Sequence, residues 1–506
     1  MKKRGKVYII GAGPGDPGLI TLRAVECLRK SDVVVYDYLV GSEIFGFVRE
    51  DARLIYVGKK GGDHTVSQNR LNEILVEEAV EGNLVARLKG GDPFIFGRGG
   101  EEAEVLKKAG IPFEVIPGIT SAIAVPAYAG IPLTHRSFTS TVAFVTGHED
   151  PTKEESGIDW DSIAAVGTVV FLMGVKNLPQ IVAGLRAHGK EPDTPAALIR
   201  WGTTPDQDTL AGTLETIVAE AEKRKFAPPA IFIVGGVVGL RDDLNWFETK
   251  PLFGKGVVIT RPEEQSREFA ALLRDAGARP VFFPTIKIVP PECYDALDGA
   301  IENIDTYNWI IFTSANGVKY FFERLRQQAR DIRDLKGVKL CTIGPATAAA
   351  VERMGIKVDL VPDRFISEGV VTAFEGMSLS GQRVLIPRAE VARDIIPAGL
   401  TRLGACVDVV TAYKTVSSGR DRAELLDLIA RGKVDVLTFT SPSTVTNFIT
   451  IMGAEWTTPE DLKIACIGPV TEAAANTAGM RTDIVQGPYV IAGLVEAIIN
   501  EFKNDK

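Results

Sequence analysis

The chemistry-bearing residues of the chain gather in glycine- and proline-rich loops. GAGPGDPG, from Gly11, sets Gly13, Gly15 and Gly18 in a G-x-G-x-x-G spacing after an apolar run. Asp37 follows the last glycine by about 20 positions, as a dinucleotide site would require. The loop itself argues against that ligand, because Pro14 fixes φ and removes an N–H that a pyrophosphate would use. Asp16-Pro17 reads as an N-cap followed by the first helical residue. Such a stiff, donor-poor loop suits close packing against a neutral or cationic ligand, and Asp37 stays ambiguous on the fingerprint alone. A second loop, KGGDPFIFGRGGEE, holds Gly90, Gly91, Asp92, Ile95 and Arg98. Its adjacent glycines let the backbone approach a ligand, and Asp92 offers an acceptor or a countercharge. A third, IPGITSAIAVPAYAGIPLTHR, brings Thr120, Ser121 and the chain's only His-Arg pair, His135-Arg136. Three such loops at strand ends describe a cleft.

The elements that must hold these loops follow from the hydropathy pattern. Apolar runs such as KVYIIGAG, DVVVYD, LVARLKGGD, TVVFLMG and AIFIVGGVV alternate with helical stretches such as LNEILVEEAVEG, which predicts α/β architecture up to about residue 250. The opening MKKRGKVYII reads as a first strand leading into the glycine loop rather than a signal sequence. LRDDLNWFETKPLFGKG then breaks the rhythm, and a domain boundary is expected near Lys250. The 506 residues, 45% hydrophobic and 24% charged, predict a multidomain globular protein without a membrane span. A net charge of −8 disfavours nonspecific nucleic-acid binding. Five cysteines without a CxxC pair and four unpaired histidines predict neither a disulfide framework nor a metal site, and a reducing cytoplasm fits.

Beyond the boundary the chain repeats itself. GKGVVITRPEEQSREFAALL, from Gly254, aligns with GQRVLIPRAEVARDIIPAGL, from Gly381, at an offset of 127 residues. IFTSANGVKYFF and TFTSPSTVTNFI keep that offset, and two IGP segments lie 124 apart. One register held through so many segments indicates duplication. Cys341 and Cys466 occupy nearby strand positions in the two copies and read as core.

The motifs GAGPGDPGLIT, VVVYDYLV, YVGKKGG, LKGGDPFIFGRGGEE, IPGITSA, GIPLTHR, FVTGHE, FLMG and WGTTPDQ, in this order over about residues 4 to 248, resemble the uroporphyrinogen-III C-methyltransferases of the tetrapyrrole methylase family. The resemblance implies a two-lobed α/β fold outside the Rossmann class, S-adenosylmethionine as methyl donor, and a homodimer. It implies that Pro14, Gly90, Gly91, Asp92, Ile95, Thr120, Ser121, Met173, Gly202 and Ala230 contact that cofactor. Asp37 would be the proton acceptor and Lys59 the proton donor. Methyl transfer from a sulfonium is driven by the cofactor, so the protein supplies alignment and desolvation. Arg98, His135 and Arg136 are the candidate partners of the substrate's carboxylates.

The duplicated half, over about residues 254 to 500, resembles the uroporphyrinogen-III synthases through its TS and IGP turns and VVTAYKT. That resemblance implies a bilobed fold with interlaced lobes, about 254–286 plus 416–506 and about 288–412. Tyr413 is the candidate acid, and Thr313, Ser314, Ser441 and Thr471 the candidate carboxylate holders. The expected product of the two halves is precorrin-2, made from hydroxymethylbilane through uroporphyrinogen III on the branch to sirohaem and cobalamin. With no dehydrogenase or ferrochelatase module ahead of the methylase, the chain is not expected to complete sirohaem. The competing expectation is a dinucleotide-dependent oxidoreductase joined to a noncatalytic bilobed binding module.

Overall fold

The computed structural model describes residues 5–58, 66–148, 157–453, 455–485, 487 and 489–503. Lys59 lies outside them. The chain forms two compact units, one chiefly of the residues up to Lys255, the other chiefly of Gly256–Glu501.

The first unit contains two five-stranded sheets. β1 (Lys6–Gly11), β2 (Val33–Tyr36), β3 (Arg53–Tyr56), β4 (Leu84–Lys89) and β5 (Phe113–Ile116) pair in the order β3-β2-β4-β1-β5, every pair parallel. β1, β2 and β4 are buried almost throughout, as strands covered on both faces are; β1 and β2 are nearly continuous apolar runs, and β4 adds the buried Arg87 and Lys89. A dinucleotide fold would run 3-2-1-4-5, whereas here β4 separates β1 from β2. The fingerprint after β1 therefore belongs to another topology. The second sheet holds β6 (Val142–Thr146), β7 (Thr168–Leu172), β8 (Pro195–Arg200), β9 (Asp208–Thr213) and β10 (Ala230–Val234), in the order β6-β7-β10-β8-β9. Only β6 and β7 pair in parallel; the other pairs are antiparallel. Its core is built on Phe171, Leu198 and Phe232, all fully buried.

The second unit shows the duplication in three dimensions. β11 (Gly256–Ile259), β12 (Arg279–Phe282), β13 (Ile286–Val289), β14 (Trp309–Phe312), β15 (Lys339–Thr342), β16 (Arg383–Ala389), β17 (Cys406–Ser417), β18 (Val436–Phe439), β19 (Lys463–Cys466) and β20 (Ile484–Val485) form sheets ordered β12-β11-β18-β19-β20 and β13-β17-β16-β14-β15. Shifted by the sequence offset, β12-β11-β18-β19 falls onto β17-β16-β14-β15 strand for strand. Even β20 has its counterpart, a parallel bridge between Cys341 and Leu360 matching the pair Ala465 and Ile484. The first of these sheets draws its strands from both ends of the duplicated segment, and the second takes all of its strands from the middle. The chain passes between them along β13 and the end of β17, which pair antiparallel from Ile286–Ser417 to Val289–Lys414. Cys341 and Cys466 are fully buried, and burial pushes their thiols up to about 12 and about 11.

Among the described residues, no helix is long and apolar enough to cross a membrane, and no group of three or more His, Cys, Asp or Glu could hold a metal ion.

Candidate active sites

β4, β1 and β5 are neighbours, so the three loops of the first unit leave one edge of one parallel sheet side by side. They are knitted through glycine backbone. Gly13 and Gly91 exchange N–H···O bonds of 3.2 and 2.7 Å, as an isolated antiparallel bridge. Gly11 and Gly118 approach so closely that a Cβ on Gly118 would lie 2.3 Å from the Gly91 carbonyl oxygen and 2.7 Å from the Gly11 Cα. No side chain fits there. Gly91, at φ +69°, is different, since a Cβ on it would meet nothing nearer than 3.6 Å. Gly91 is buried against the start of the third loop, where a Cβ would make only ordinary contact with Ser121 N and Thr120 Cα.

Asp92 is held at the centre of this knot. One carboxylate oxygen accepts from the amides of Phe94 (2.8 Å) and Ile95 (3.1 Å), the other from Gly118 (3.0 Å). Its role in the loop is that of a staple joining the second and third segments. The amides of Gly13, Gly91 and Gly118 are thus spent within the protein, and Pro14 has none to give. What remains is a shaped, donor-poor wall, unlike the amide nest that binds phosphate. Thr120 caps the helix Ser121–Tyr128 through its hydroxyl, which accepts from Ala122 N–H at 3.3 Å.

The second sheet contributes strained turns. Among the described residues, seven non-glycines have left-handed φ, and five of them, Phe96, Arg98, Met173, Trp201 and Thr203, lie in the glycine loop after β4 and the turns after β7 and β8. Strain of this kind costs on the order of 1–3 kcal/mol per residue and persists where surrounding structure enforces it, commonly at functional sites. Met173 (φ +59°) is half exposed at the end of β7. Gly202 packs its Cα against Val125, where a Cβ would approach to 2.3 Å. Ala230 opens β10 opposite Arg200, beside the same turn. The first loop meets that turn: Asp16 N–H donates to the Thr203 hydroxyl (3.0 Å), and Tyr128 donates to Asp16 (2.7 Å). Burial, reinforced by Asp16, raises the Tyr128 phenol well above its ordinary value.

Asp37, just past β2, accepts from Leu39 N–H (3.1 Å) and from Arg87 (3.2 Å). Arg87 in turn reaches buried Glu102 (3.4 Å), which also takes the Lys89 ammonium at 2.7 Å. Burial lowers the Lys89 pKa, though Glu102 opposes the shift. Arg98 is exposed and braces its own helix through a two-pronged pair with Glu101 (2.9 and 2.6 Å). His135 is exposed and accepts from Ser137 N–H at 3.2 Å, and Arg136 is exposed beside it.

In the second unit the candidates sit where strands of the duplicated sheets end. Ser314 and Ser441, 127 residues apart, each cap a helix, accepting from Gly317 N–H (3.0 Å) and Thr444 N–H (3.3 Å). Thr313 is partly buried beside Ser314. Thr471 is 3% exposed and its counterpart Thr347 5%, so both hydroxyls are packed inward at the first turn of a helix. The Tyr413 hydroxyl lies 3.0 Å from Ser314 Oγ, and its ring stacks on Tyr320 at 5.8 Å. Burial raises the phenol above its ordinary value, outweighing the hydrogen bond with Ser314 and the nearby Asn316 side chain, which pull it down.

Several residues of these sites carried no signal in the motif reading. Gly11 and Gly118 matter through backbone proximity, and Tyr128 and Thr203 through their contacts with Asp16, which also serves as the N-cap its Asp-Pro pair indicated. The Thr-Ser turns were visible because they recur.

Fold and sites define a class: an α/β methylase-type unit with a glycine-lined, donor-poor cleft, joined to a duplicated unit with paired hydroxyl turns. Residues 6–218 match the family of Tetrapyrrole (Corrin/Porphyrin) Methylases, and residues 267–496 match Uroporphyrinogen-III synthase HemD. The chain is similar to the porphyrin biosynthesis protein HemD of Ruminiclostridium josui, 41% identical over 97% of this chain and 95% of that one. It is also similar to the S-adenosyl-L-methionine-dependent uroporphyrinogen III methyltransferase of Methanosarcina barkeri, 58% identical over 48% of this chain and 95% of the relative. A uroporphyrin-III C-methyl transferase structure from Thermus thermophilus, complexed with S-adenosyl homocysteine, covers 47% of this chain and all of its own at 37% identity and a TM-score of 0.41. The chain belongs to the family that fuses a tetrapyrrole methylase to a uroporphyrinogen-III synthase.

Proposed function

We propose that the chain is a bifunctional enzyme: its second half cyclises hydroxymethylbilane to uroporphyrinogen III with loss of water, and its first half methylates that product at C-2 and C-7 to precorrin-2. The observation that carries the methylase reading is the knot of Gly11, Gly13, Gly91, Asp92 and Gly118, in which the amides of Gly13, Gly91 and Gly118 are already bonded within the protein. Such a wall admits S-adenosylmethionine, which has no phosphate, and disfavours a dinucleotide. When bound, that cofactor supplies an electrophilic methyl group on a sulfonium. Pro14, Gly90, Gly91, Asp92, Ile95, Thr120, Ser121, Met173, Gly202 and Ala230 form its pocket, with the half-exposed Met173 and Ile95 as apolar contacts. Asp37, steadied by Arg87, takes the proton released as the pyrrole carbon is methylated. Lys59 is the proton donor by resemblance. Arg98, His135 and Arg136 receive substrate carboxylates.

Ring closure breaks the carbon–oxygen bond of the hydroxymethyl group and forms a carbon–carbon bond to the substituted α-carbon of the last pyrrole, whose link to the preceding ring then breaks and re-forms at its free α-carbon, inverting that pyrrole. Tyr413 donates a proton to the departing hydroxyl, which leaves as water, and the proton lost on ring closure restores the phenol. Ser314, Thr313, Ser441 and Thr471, at helix starts, hold carboxylates with the adjoining amides. The functional domains run 1–250 and 251–506, with lobes of about 254–286 plus 416–506 and about 288–412. Exposed Phe94, Phe96, Ile119 and Ile123 support a homodimer through the first half, and the family's biosynthetic role fits the cytoplasm.

The test supplies each substrate alone. Hydroxymethylbilane without S-adenosylmethionine should give the type III isomer, and uroporphyrinogen III with it should gain two methyl groups by mass. Type I product only, or protection of the fold by NADH and not by S-adenosylmethionine, would overturn the respective half.

A further inference from the structure

The two duplicated sheets carry an arginine at the same place. Arg261, after β11, and Arg388, near the end of β16, are 127 residues apart and align in ITRP and IPRA. Their surroundings have diverged. Arg388 donates to Asp394 at 2.6 Å and to the Arg393 carbonyl at 3.0 Å, so its charge is neutralised within its own lobe. Arg261 is partly buried, and its guanidinium donates to the neutral amide oxygen of Gln265 at 3.2 Å. Among the described residues it forms no ion pair; Glu268 acts on it only as a more distant charge, and burial lowers its pKa. A desolvated cation without a carboxylate partner is costly to keep, unless a ligand supplies the anion.

Its connections show where that anion would sit. Gln265 passes its own N–H to the Asn316 side chain at 3.0 Å, and Asn316 belongs to the TSAN turn of the other sheet. Asn316 is on the same turn as Ser314, whose hydroxyl lies 3.0 Å from the Tyr413 phenol, and it is near enough to that phenol to lower its pKa. A polar chain thus runs Arg261–Gln265–Asn316 from one lobe to the other and ends on the turn whose Ser314 meets Tyr413. Two neighbouring cations are already paired: Lys319 with Glu264 at 2.6 Å, and Lys414 with Glu292 and Glu390, each at 3.0 Å. We propose that Arg261 is the receptor for a carboxylate of the linear tetrapyrrole, holding the chain across the cleft from Tyr413. This rests on the synthase reading above. Its consequence is that one copy of the duplicated arginine binds substrate while the other became a structural brace. The guanidinium fork suits a carboxylate better than an ammonium would.

The experiment measures ring closure of hydroxymethylbilane by the full chain carrying Arg261→Gln, Arg261→Lys or Arg388→Gln, with the isomer ratio of the product. Arg261→Gln should raise KM at least tenfold and increase the share of type I isomer, because a loosely held chain closes without inversion. Arg261→Lys should fall between it and the wild type, and Arg388→Gln should leave KM unchanged. Methylation of supplied uroporphyrinogen III is the folding control for the whole chain, and far-ultraviolet circular dichroism melting that for the second half. Wild-type KM and isomer ratio in Arg261→Gln would overturn the proposal, as would an equal KM rise in Arg388→Gln. If Arg261→Gln does not fold, a wild-type KM in Arg261→Lys overturns it instead. Failure of the wild-type chain to cyclise the bilane would defeat the synthase reading itself, a separate outcome.

Discussion

The two halves of this chain build their sites from opposite materials. In the first, the wall of the cleft is backbone: glycines bonded to each other, a carboxylate spent on amides, and residues held at left-handed φ. In the second, the cleft is lined by side-chain hydroxyls and a phenol at the ends of two copies of one sheet. The difference follows from where each reaction obtains its driving force. A sulfonium methyl group is already activated, so the protein need only fit it closely and exclude water. A bilane closes readily to the uninverted isomer, so its enzyme must chiefly fold it one way, and on the proposed reading hydroxyls anchor it and Tyr413 assists loss of water. Shape serves the first reaction, and functional groups serve the second.

Substitutions confined to one half should therefore leave the other untouched. The largest effect is expected from Tyr413→Phe, which should slow ring closure by about 10²–10⁴-fold, the usual contribution of a general acid, while methylation of supplied uroporphyrinogen III stays at wild-type rate. A wild-type rate of ring closure would make the phenol a packing residue. Next comes Gly118→Ala, whose methyl group must displace the Gly91 carbonyl and the Gly11 backbone. Overpacking costs about 1–3 kcal/mol, so calorimetry should show S-adenosylmethionine binding weakened about tenfold or more, with ring closure unchanged. Gly100→Ala in the adjacent helix, where a Cβ meets nothing within 4 Å, should leave cofactor affinity intact and separate crowding from composition. Ser441→Ala removes a capping box and should cost the second half about 1 kcal/mol in urea unfolding, with no change in cofactor binding.

The smallest expected effect concerns pH. The phenol must be protonated to donate, and burial raises the Tyr413 pKa in the folded protein. Ring closure should stay level in Tyr413 protonation up to the ordinary phenol value of about 10 and decline only above it. The linkage has the same sign: the folded state holds the proton more tightly, so this contribution to stability is present below about 10 and lost as pH rises. A tyrosine-dependent decline below pH 9, abolished in Tyr413→Phe, would contradict the burial seen here.

The α/β class and the duplication were legible because strands and repeats leave periodic traces, and the repeat offset maps one sheet onto the other in the structure. The G-x-G-x-x-G spacing was the misleading signal, since the same glycine turn serves a sheet ordered 3-2-4-1-5. Pro14 was the corrective, because a missing donor is visible in a sequence. Asp92 illustrates the limit: its type and loop were evident, but its bonds to Gly118 depend on β4, β1 and β5 lying side by side, which no local pattern encodes. The strain at Trp201 and Thr203 was equally hidden, because side chains at left-handed φ look ordinary as letters.

The central claim is that one chain carries two independent sites of different construction. The most direct test mixes Tyr413→Phe and Gly118→Ala chains in equal amounts with hydroxymethylbilane and S-adenosylmethionine, and measures dimethylated type III product. Each variant alone should make little of it, while the mixture should make far more than the two separate reactions together, because the intermediate can pass from an intact synthase to an intact methylase. A mixture no more productive than the sum of its parts would mean that the halves do not act as separate enzymes.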